Sequence, residues 1–143
     1  ISDGFHLPGP VMKCLVRSKG LDRTMIVSDA ALYGGAKAGR YSWGSIAVEV
    51  FADGHLGVAE TPYLAGAGHT LSWAIPRFSE ATDVSITEAV RLCTSNPARI
   101  LGFPWSEALP KVGERADLVQ FTYAAGEESL HIEGLVRGSY VLS

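Results

Sequence analysis

The predicted fold is decided by one stretch, Thr24-Met25-Ile26-Val27-Ser28-Asp29-Ala30. Its first four residues form a short apolar run with β-branched side chains, which is typical of a strand buried in a parallel sheet. The run stops at Ser28, so Asp29 stands at the carboxyl end of the predicted strand. In α/β proteins, ligands bind and chemistry takes place at that end. The stretch therefore predicts an α/β fold with a carboxylate at the mouth of a strand.

A strand and a helix are predicted before this stretch. Residues 1–6 predict an extended opening that ends in His6, and residues 10–19 predict a helix with Gly20 at its C′ position. A right-handed crossover would place the two strands side by side and parallel. His6 and Asp29 would then lie at neighbouring strand mouths. From the residues alone, Asp29 is either a catalytic group or a structural one that caps the chain or forms a salt bridge.

The rest of the sequence predicts loops, helices and a C-terminal tail that is richer in strands. Within the helix predicted at 69–81, Pro76 is expected to cause a kink or to begin a second helix. Small residues in the loop at 60–68 either admit a ligand or serve a turn with positive φ. The predicted elements are a glycine-rich loop at 33–44, hairpin strands at 45–51 and 55–59 around Asp53-Gly54, helices at 69–81, 86–95 (after the capping box Ser85 to Glu88) and 97–101 (begun by Asn96), a strand at 117–122, and a hairpin at 129–136 and 139–142.

Composition narrows the class of protein. The chain has 143 residues, 47% of them hydrophobic, and a net charge of −3. It has no basic cluster for nucleic acid and no apolar run long enough to cross a membrane. Cys14 and Cys93 form no CxxC pair, which predicts buried thiols in a reducing compartment, the cytoplasm. Because the chain begins without methionine inside a predicted strand, we expect it to be a piece of a longer protein.

Several short segments resemble one family. They are Asp3-Gly4-Phe5-His6, Lys19-Gly20, Val27-Ser28-Asp29-Ala30, Tyr63-Leu64-Ala65-Gly66, Ser95-Asn96-Pro97-Ala98-Arg99, and Gly113 with Ala116-Asp117-Leu118-Val119. In this order they resemble the C-terminal part of N-acetylglucosamine-6-phosphate deacetylases, members of the amidohydrolase superfamily. The Asn-Pro-Ala-Arg and Ala-Asp-Leu-Val segments are typical of the whole superfamily, whereas the Asp-Gly-Phe-His, Ser-Asp-Ala and Leu-Ala-Gly segments indicate the deacetylase branch.

The resemblance implies a fold and a division of the chain. The family fold is a metal-dependent (β/α)8 barrel with a small β-sandwich. Residues 1–112 would supply the last strands and helices of an incomplete barrel, and residues 113–143 the C-terminal strands of the sandwich. The missing N-terminal portion of the barrel would be a partner of this chain. Because two barrel strands alone expose apolar edges, a homodimer is also expected.

The resemblance also implies roles for the site residues. Asp29 would be the general base that takes a proton from metal-bound water and then protonates the leaving amine. His6, with Asp3, Gly4 and Phe5, would contact the sugar phosphate, His6 as a hydrogen-bond donor. Leu64, Ala65 and Gly66 would present their backbone to the amino-sugar phosphate substrate.

No metal site is complete in this sequence. The family's principal metal ligands are a glutamate and two histidines, and none of the four histidines here can be matched to them. Asp29 is the one possible metal ligand. The resemblance implies zinc or iron in the full-length parent, and no cofactor is expected in the fragment. The fragment is expected to be inactive alone. The alternative is a non-catalytic structural or dimerising module derived from an amidohydrolase.

Overall fold

The computed structural model describes residues 1–103, 110–138 and 140–142. These residues form a mixed α/β structure with two antiparallel sheets, each with its strands in sequence order. The helices are α1 (Gly9–Lys19), α2 (Leu71–Thr82), α3 (Ile86–Cys93) and α4 (Ser95–Ile100), with a 3-10 turn at Leu21–Arg23. The first sheet contains β1 (Gly39–Trp43), β2 (Ile46–Val50) and β3 (Leu56–Val58), and the second contains β4 (Ala116–Thr122), β5 (His131–Gly138) and β6 (Tyr140–Leu142).

The parallel strand pair predicted at 1–6 and 24–27 is not present in the described part of the chain, and this prediction was wrong. Neither segment joins a ladder. Ile26 instead donates its N–H to the carbonyl of Leu92 at the end of α3, at 3.1 Å. A strand exists only where a neighbour supplies hydrogen bonds. Parallel pairing within the described residues is limited to an isolated bridge between Ala30 and Ala67.

The predicted helix before this segment is confirmed as α1. It begins after Pro8 and ends at Gly20, whose φ of 76° favours glycine. Met12 and Val16 on one face are buried in the main core. That core lies between the first three helices and also takes in Ile26 and Leu130; its buried members are Met12, Val16, Ile26, Ala74, Ile75, Phe78, Val84, Ala89, Leu92 and Leu130.

Pro76 lies inside α2, which is one continuous helix and not the two segments that the sequence allowed. Proline has no N–H to donate to the carbonyl four residues earlier, that of Ser72. The Ser72 oxygen accepts the N–H of Leu130 instead, at 2.8 Å. Because Leu130 directly precedes β5, this bond attaches the second sheet to α2.

The capping box predicted at the start of α3 is confirmed. The Ser85 hydroxyl accepts the N–H of Glu88 at 3.3 Å, and the Ser85 N–H donates to the Glu88 carboxylate at 3.1 Å. The next boundary was predicted less well, since Asn96 lies inside α4 and Thr94 is its N-cap. Asn96 is buried, and its amide nitrogen is satisfied there because it donates to the carbonyls of Leu21 and Thr24, at 2.8 and 2.7 Å.

The first sheet extends beyond its predicted hairpin. The strands around the turn at Asp53-Gly54 are confirmed as β2 and β3, but β1 lies where a loop was predicted. Arg40 pairs with Glu49 and Tyr41 with Val48 in its register. The predicted strands of the tail are confirmed as β4, β5 and β6, paired in this order. The division of the chain at residue 112 stays a prediction.

The two cysteines differ from their prediction as buried thiols. Cys14 is exposed on α1 and Cys93 is half-buried at the end of α3. Burial raises the pKa of the Cys93 thiol to about 12. Its thiolate is therefore scarce at neutral pH, and the thiol acts as a packing group. No helix in the described ranges is long and apolar enough to cross a membrane.

Candidate functional site

Asp29 lies at a point where two distant segments meet. Its carbonyl accepts the N–H of Ala67 at 2.9 Å, and the Ala67 carbonyl accepts the N–H of Ala31 at 3.0 Å. Its backbone has a left-handed φ of 56°, which aspartate tolerates better than most residues. The side chain is exposed. Among residues 1–103, 110–138 and 140–142, none forms a hydrogen bond or ion pair with this carboxylate.

Gly66 lies directly beside the Asp29 carboxylate. A Cβ at this position would lie 3.8 Å from Oδ2 of Asp29 and 3.0 Å from the Cβ of Ala31. Its φ of 81° also favours glycine. The Gly66 N–H has no hydrogen-bond acceptor within the described part of the chain. An uncommitted carboxylate and an uncommitted backbone donor therefore share one stretch of surface.

The rest of the predicted substrate loop is held against β3. Ala65 donates its N–H to the Leu56 carbonyl at 3.0 Å, and Val58 donates to the Tyr63 carbonyl at 2.8 Å. Leu64 pairs with Gly57 in an isolated antiparallel bridge. The loop is thus fixed on one side by the first sheet and on the other by the residues around Asp29. Leu64, Ala65 and Gly66 are all half-buried.

The segment with Asp3, Gly4, Phe5 and His6 folds into a tight bend instead of a strand. Asp3 is buried, and its carboxylate accepts the N–H groups of Phe5 and His6. Gly4 has a φ of 89°, which the bend requires. The His6 ring lies 2.8 Å from the carboxylate through Nδ1. The sequence contained a local signal for this bend, because aspartate commonly accepts N–H groups two and three residues later.

An aromatic cluster, which the sequence analysis missed, surrounds Phe5. The Phe5 ring is 5.1 Å from the His55 ring and 6.1 Å from the His69 ring, and His69 stacks on Trp73 at 4.0 Å. His55, next to the turn at Asp53-Gly54, is half-buried. Its ring stacks on Phe51 at 4.0 Å and contacts Asp53 at 2.6 Å. The contacts of Phe5 with His55 and His69 join residues far apart in sequence, so no local pattern predicts them.

The structure brings together only part of the predicted site. Asp29 and Gly66 are neighbours, and Phe5 reaches His69, three residues further along the same loop. No hydrogen bond or ion pair joins His6 to Asp29 in the described ranges. The loop from Leu64 to His69 is therefore what connects the two halves of the candidate site.

The residues present do not fit a bound divalent cation. No group of three or more His, Cys, Asp or Glu side chains in the described part of the chain could hold a metal ion. The imidazoles are already engaged through one ring nitrogen: His6 with Asp3, His55 with Asp53, His69 with the Asp53 carbonyl, and His131 with Glu127. The uncommitted carboxylate of Asp29 therefore has too few neighbouring ligands among the described residues to hold a cation.

Solved structures define the class of protein to which this fold belongs. N-acetyl-D-glucosamine-6-phosphate deacetylase from Mycobacterium smegmatis matches with a TM-score of 0.80 at 25% identity, over 99% of this chain and 36% of that chain. A mutant of that enzyme in complex with N-acetyl-D-glucosamine-6-phosphate matches with a TM-score of 0.78 at 26% identity, over 98% of this chain and 36% of that one. No protein-family model matches the chain.

Sequence comparison then identifies the family. A protein of Escherichia coli (strain K12), provisionally named N-acetylgalactosamine-6-phosphate deacetylase, is 31% identical over 94% of this chain and 78% of its own length. The N-acetylgalactosamine-6-phosphate deacetylase of Escherichia coli O157:H7 is 31% identical over 94% of this chain, but the chain spans only 35% of its length. The chain belongs to the family of N-acetylglucosamine- and N-acetylgalactosamine-6-phosphate deacetylases.

Proposed function

We propose that the chain is the C-terminal part of a metal-dependent deacetylase, cytoplasmic in location, that acts on N-acetylglucosamine 6-phosphate. Residues 1–112 would belong to a (β/α)8 barrel, and residues 113–143 to a small β-sandwich. The observation that carries the proposal is the exposed Asp29 carboxylate beside Gly66, without a partner among the described residues. A structural aspartate would be expected to use its side chain as a cap or in an ion pair.

Asp29 is the proton carrier in this proposal. Its carboxylate takes a proton from the water that attacks the acetyl carbon, and it returns the proton to the amine nitrogen as the C–N bond breaks. Acetate and the amino-sugar phosphate are the products. The exposure of Asp29 suits this role because water and the substrate amide can reach its carboxylate.

The two loops around Asp29 would orient the substrate. The Gly66 N–H is a backbone donor at the same opening, and the absence of a side chain lets a ligand approach the backbone closely. His6 is proposed to contact the sugar phosphate from the bend at residues 3–6, with Phe5 held by the aromatic cluster. Zinc or iron belongs to the proposal and would be held by further residues of the complete enzyme, with Asp29 as a possible ligand. The described residues by themselves form no such site.

The first test uses the chain alone and the complete enzyme. The purified chain with added zinc should release no acetate from N-acetylglucosamine 6-phosphate, because Asp29 alone does not form a metal site. The complete polypeptide that contains these residues should release acetate, and parallel assays with N-acetylgalactosamine 6-phosphate identify its preferred sugar. Turnover by the chain alone that disappears in Asp29→Asn would contradict the proposed inactivity. A complete enzyme inactive on both sugars would contradict the proposed function.

A second candidate role, a dimerising module, is favoured by an apolar cleft. Leu15 on α1 is 50% exposed and Met25 is 45% exposed. The residues that line the cleft are Ile1, Ser2, Leu7, Met12, Leu15, Val16, Thr24, Met25, Ile26 and Phe78. Val11, one turn before Leu15, widens the apolar face. A second copy of the chain would remove this surface from water.

The molecular mass in solution tests the proposed dimer directly. Light scattering at micromolar concentration should give twice the mass of the chain, and Leu15→Glu should give the monomer mass, because the charge would be buried unpaired in the contact. Val119→Glu is the control, since Val119 is exposed on β4, outside the cleft. A monomeric wild-type chain at the same concentration would rule out this role.

A further inference from the structure

The carboxylate of Asp3 is fully engaged within its own bend. The residue is 3% exposed. Its Oδ1 accepts the N–H groups of Phe5 and His6, both at 3.0 Å, and its Oδ2 lies 2.8 Å from Nδ1 of His6. A ligand could reach either oxygen only by breaking these bonds. The group that the bend presents outward is therefore the His6 ring, and not the Asp3 carboxylate.

Helix α2 fixes the bend from behind. The hydroxyl of Ser2 donates to the Ala74 carbonyl at 3.0 Å, and the indole N–H of Trp73 donates to the Asp3 carbonyl at 3.3 Å. Ala74 is buried in the main core. Asp3 is therefore held by a rigid element, and the position of the His6 ring depends in turn on Asp3.

We propose that Asp3 is a positioning residue that holds the His6 ring as its Nδ1–H tautomer and leaves Nε2 for the ligand. The inference rests on the proposed function, in which His6 contacts the sugar phosphate. An ionised carboxylate offers acceptors only, so Nδ1 must carry the hydrogen in the contact with Oδ2. The neutral ring then presents Nε2 as an acceptor to a sugar hydroxyl, and the protonated ring presents it as a donor to the phosphate.

The ionised state of Asp3 follows from its surroundings. Burial acts to raise the pKa of Asp3, but the hydrogen bonds from the His6 N–H, the His6 ring and the Phe5 N–H together outweigh it, so the pKa lies below its ordinary value. The carboxylate is therefore charged at neutral pH and accepts hydrogen bonds with both oxygens.

Imidazole nitrogen NMR spectra of the wild-type chain provide the first test. At a pH where the His6 ring is neutral, its Nδ1 should show the chemical shift of a protonated nitrogen and its Nε2 that of an unprotonated one. This measurement needs no substrate, metal or activity, so it is independent of the proposed function. A wild-type His6 ring with its hydrogen on Nε2 would overturn the inference.

The variant Asp3→Asn tests the cause of the tautomer. The amide oxygen can still accept the two backbone N–H groups, while the NH2 group now faces Nδ1. Nδ1 must then act as an acceptor, so the hydrogen should move to Nε2. Asp53→Asn is a matched control, because Asp53 makes the same contact with Nδ1 of His55 at 2.6 Å. Asp53→Asn should change only the His55 signals, and an unchanged His6 tautomer in folded Asp3→Asn would overturn the inference.

Kinetics of the complete enzyme then separate this inference from the proposed function. Asp3→Asn should raise KM about tenfold with a smaller effect on kcat, since it alters one hydrogen bond to the substrate. A switched tautomer with unchanged KM would overturn the link between Asp3 and substrate binding and leave deacetylation itself untouched. Loss of the proposed function would appear instead as wild-type enzyme without deacetylase activity.

Discussion

The Asp29→Asn variant of the complete deacetylase is expected to lose about a hundredfold to ten-thousandfold in kcat, with little change in KM. In the proposed mechanism the carboxylate accepts a proton from water and returns it to the leaving amine. An amide of the same shape can do neither, because it is not basic enough to accept the proton. Initial rates of acetate release at several substrate concentrations separate kcat from KM.

This substitution should leave the fold intact. The backbone of Asp29 has a left-handed φ of 56°, and asparagine adopts this conformation more readily than most residues. Asp83 provides a matched control: it is also exposed, has a φ of 62°, and pairs with Lys13. Asp83→Asn should therefore keep the wild-type kcat. If folded Asp29→Asn also keeps it, Asp29 is not the proton carrier and the proposed mechanism is wrong.

The Gly68→Ala variant should lower the free energy of unfolding by about 3 kcal/mol. A Cβ at this position would overlap the carbonyl oxygen of Gly54 and lie 3.0 Å from its carbonyl carbon. Both atoms belong to the backbone of the turn between β2 and β3, so no flexible side chain can move aside. Urea denaturation followed by tryptophan fluorescence measures the loss.

Gly126→Ala is the control for a methyl group that is added without a clash. Gly126 has a φ of 91° and no atoms within 4 Å of its added Cβ. Its substitution therefore introduces backbone strain without a clash, and it should cost about 1 kcal/mol. Equal losses in the two variants would contradict the close packing of Gly68 against the turn. The comparison also tests the loop beside Asp29, since the Gly68 carbonyl accepts the N–H of Gly35 at 2.9 Å.

The elements that the sequence predicted well carry their signals locally. Ser85 and Glu88 form both bonds of their capping box, and Asp53-Gly54 turns between β2 and β3. Gly20 ends α1 as expected. Each of these signals depends on residues within four positions of one another. Local hydrogen bonds are therefore enough to specify these features.

The elements that were predicted wrongly depend on a distant partner. The glycine-rich segment at 33–44 contains β1 because Tyr41 and its neighbours pair with β2. The apolar run before Asp29 has the composition of a strand, but its Ile26 N–H bonds to Leu92 at the end of a helix. Composition gives the preference for a strand, whereas pairing depends on which backbone lies alongside.

The candidate site also has one feature that local sequence could predict and one that depends on a distant contact. The bend at Asp3 could have been predicted, because its acceptor and donors lie within three residues. The position of Gly66 beside Asp29 could not, since it depends on the bridge between Ala30 and Ala67. The resemblance of the loop to a substrate-binding segment predicts a role that stays a prediction, and in the structure Gly66 of this loop lies beside the carboxylate.

The absence of a backbone N–H at Pro76 affects how the protein unfolds. The oxygen of Ser72 serves Leu130 and not its own helix, so one acceptor links the middle of the chain to its last sheet. Separation of the second sheet from α2 would leave the Ser72 oxygen without its hydrogen-bond donor. It would also expose Leu130, which is 6% exposed in the native state. Helix α2 and the second sheet should therefore unfold in a single cooperative transition. A residue with a backbone N–H in place of Pro76 would compete with Leu130 for the Ser72 oxygen.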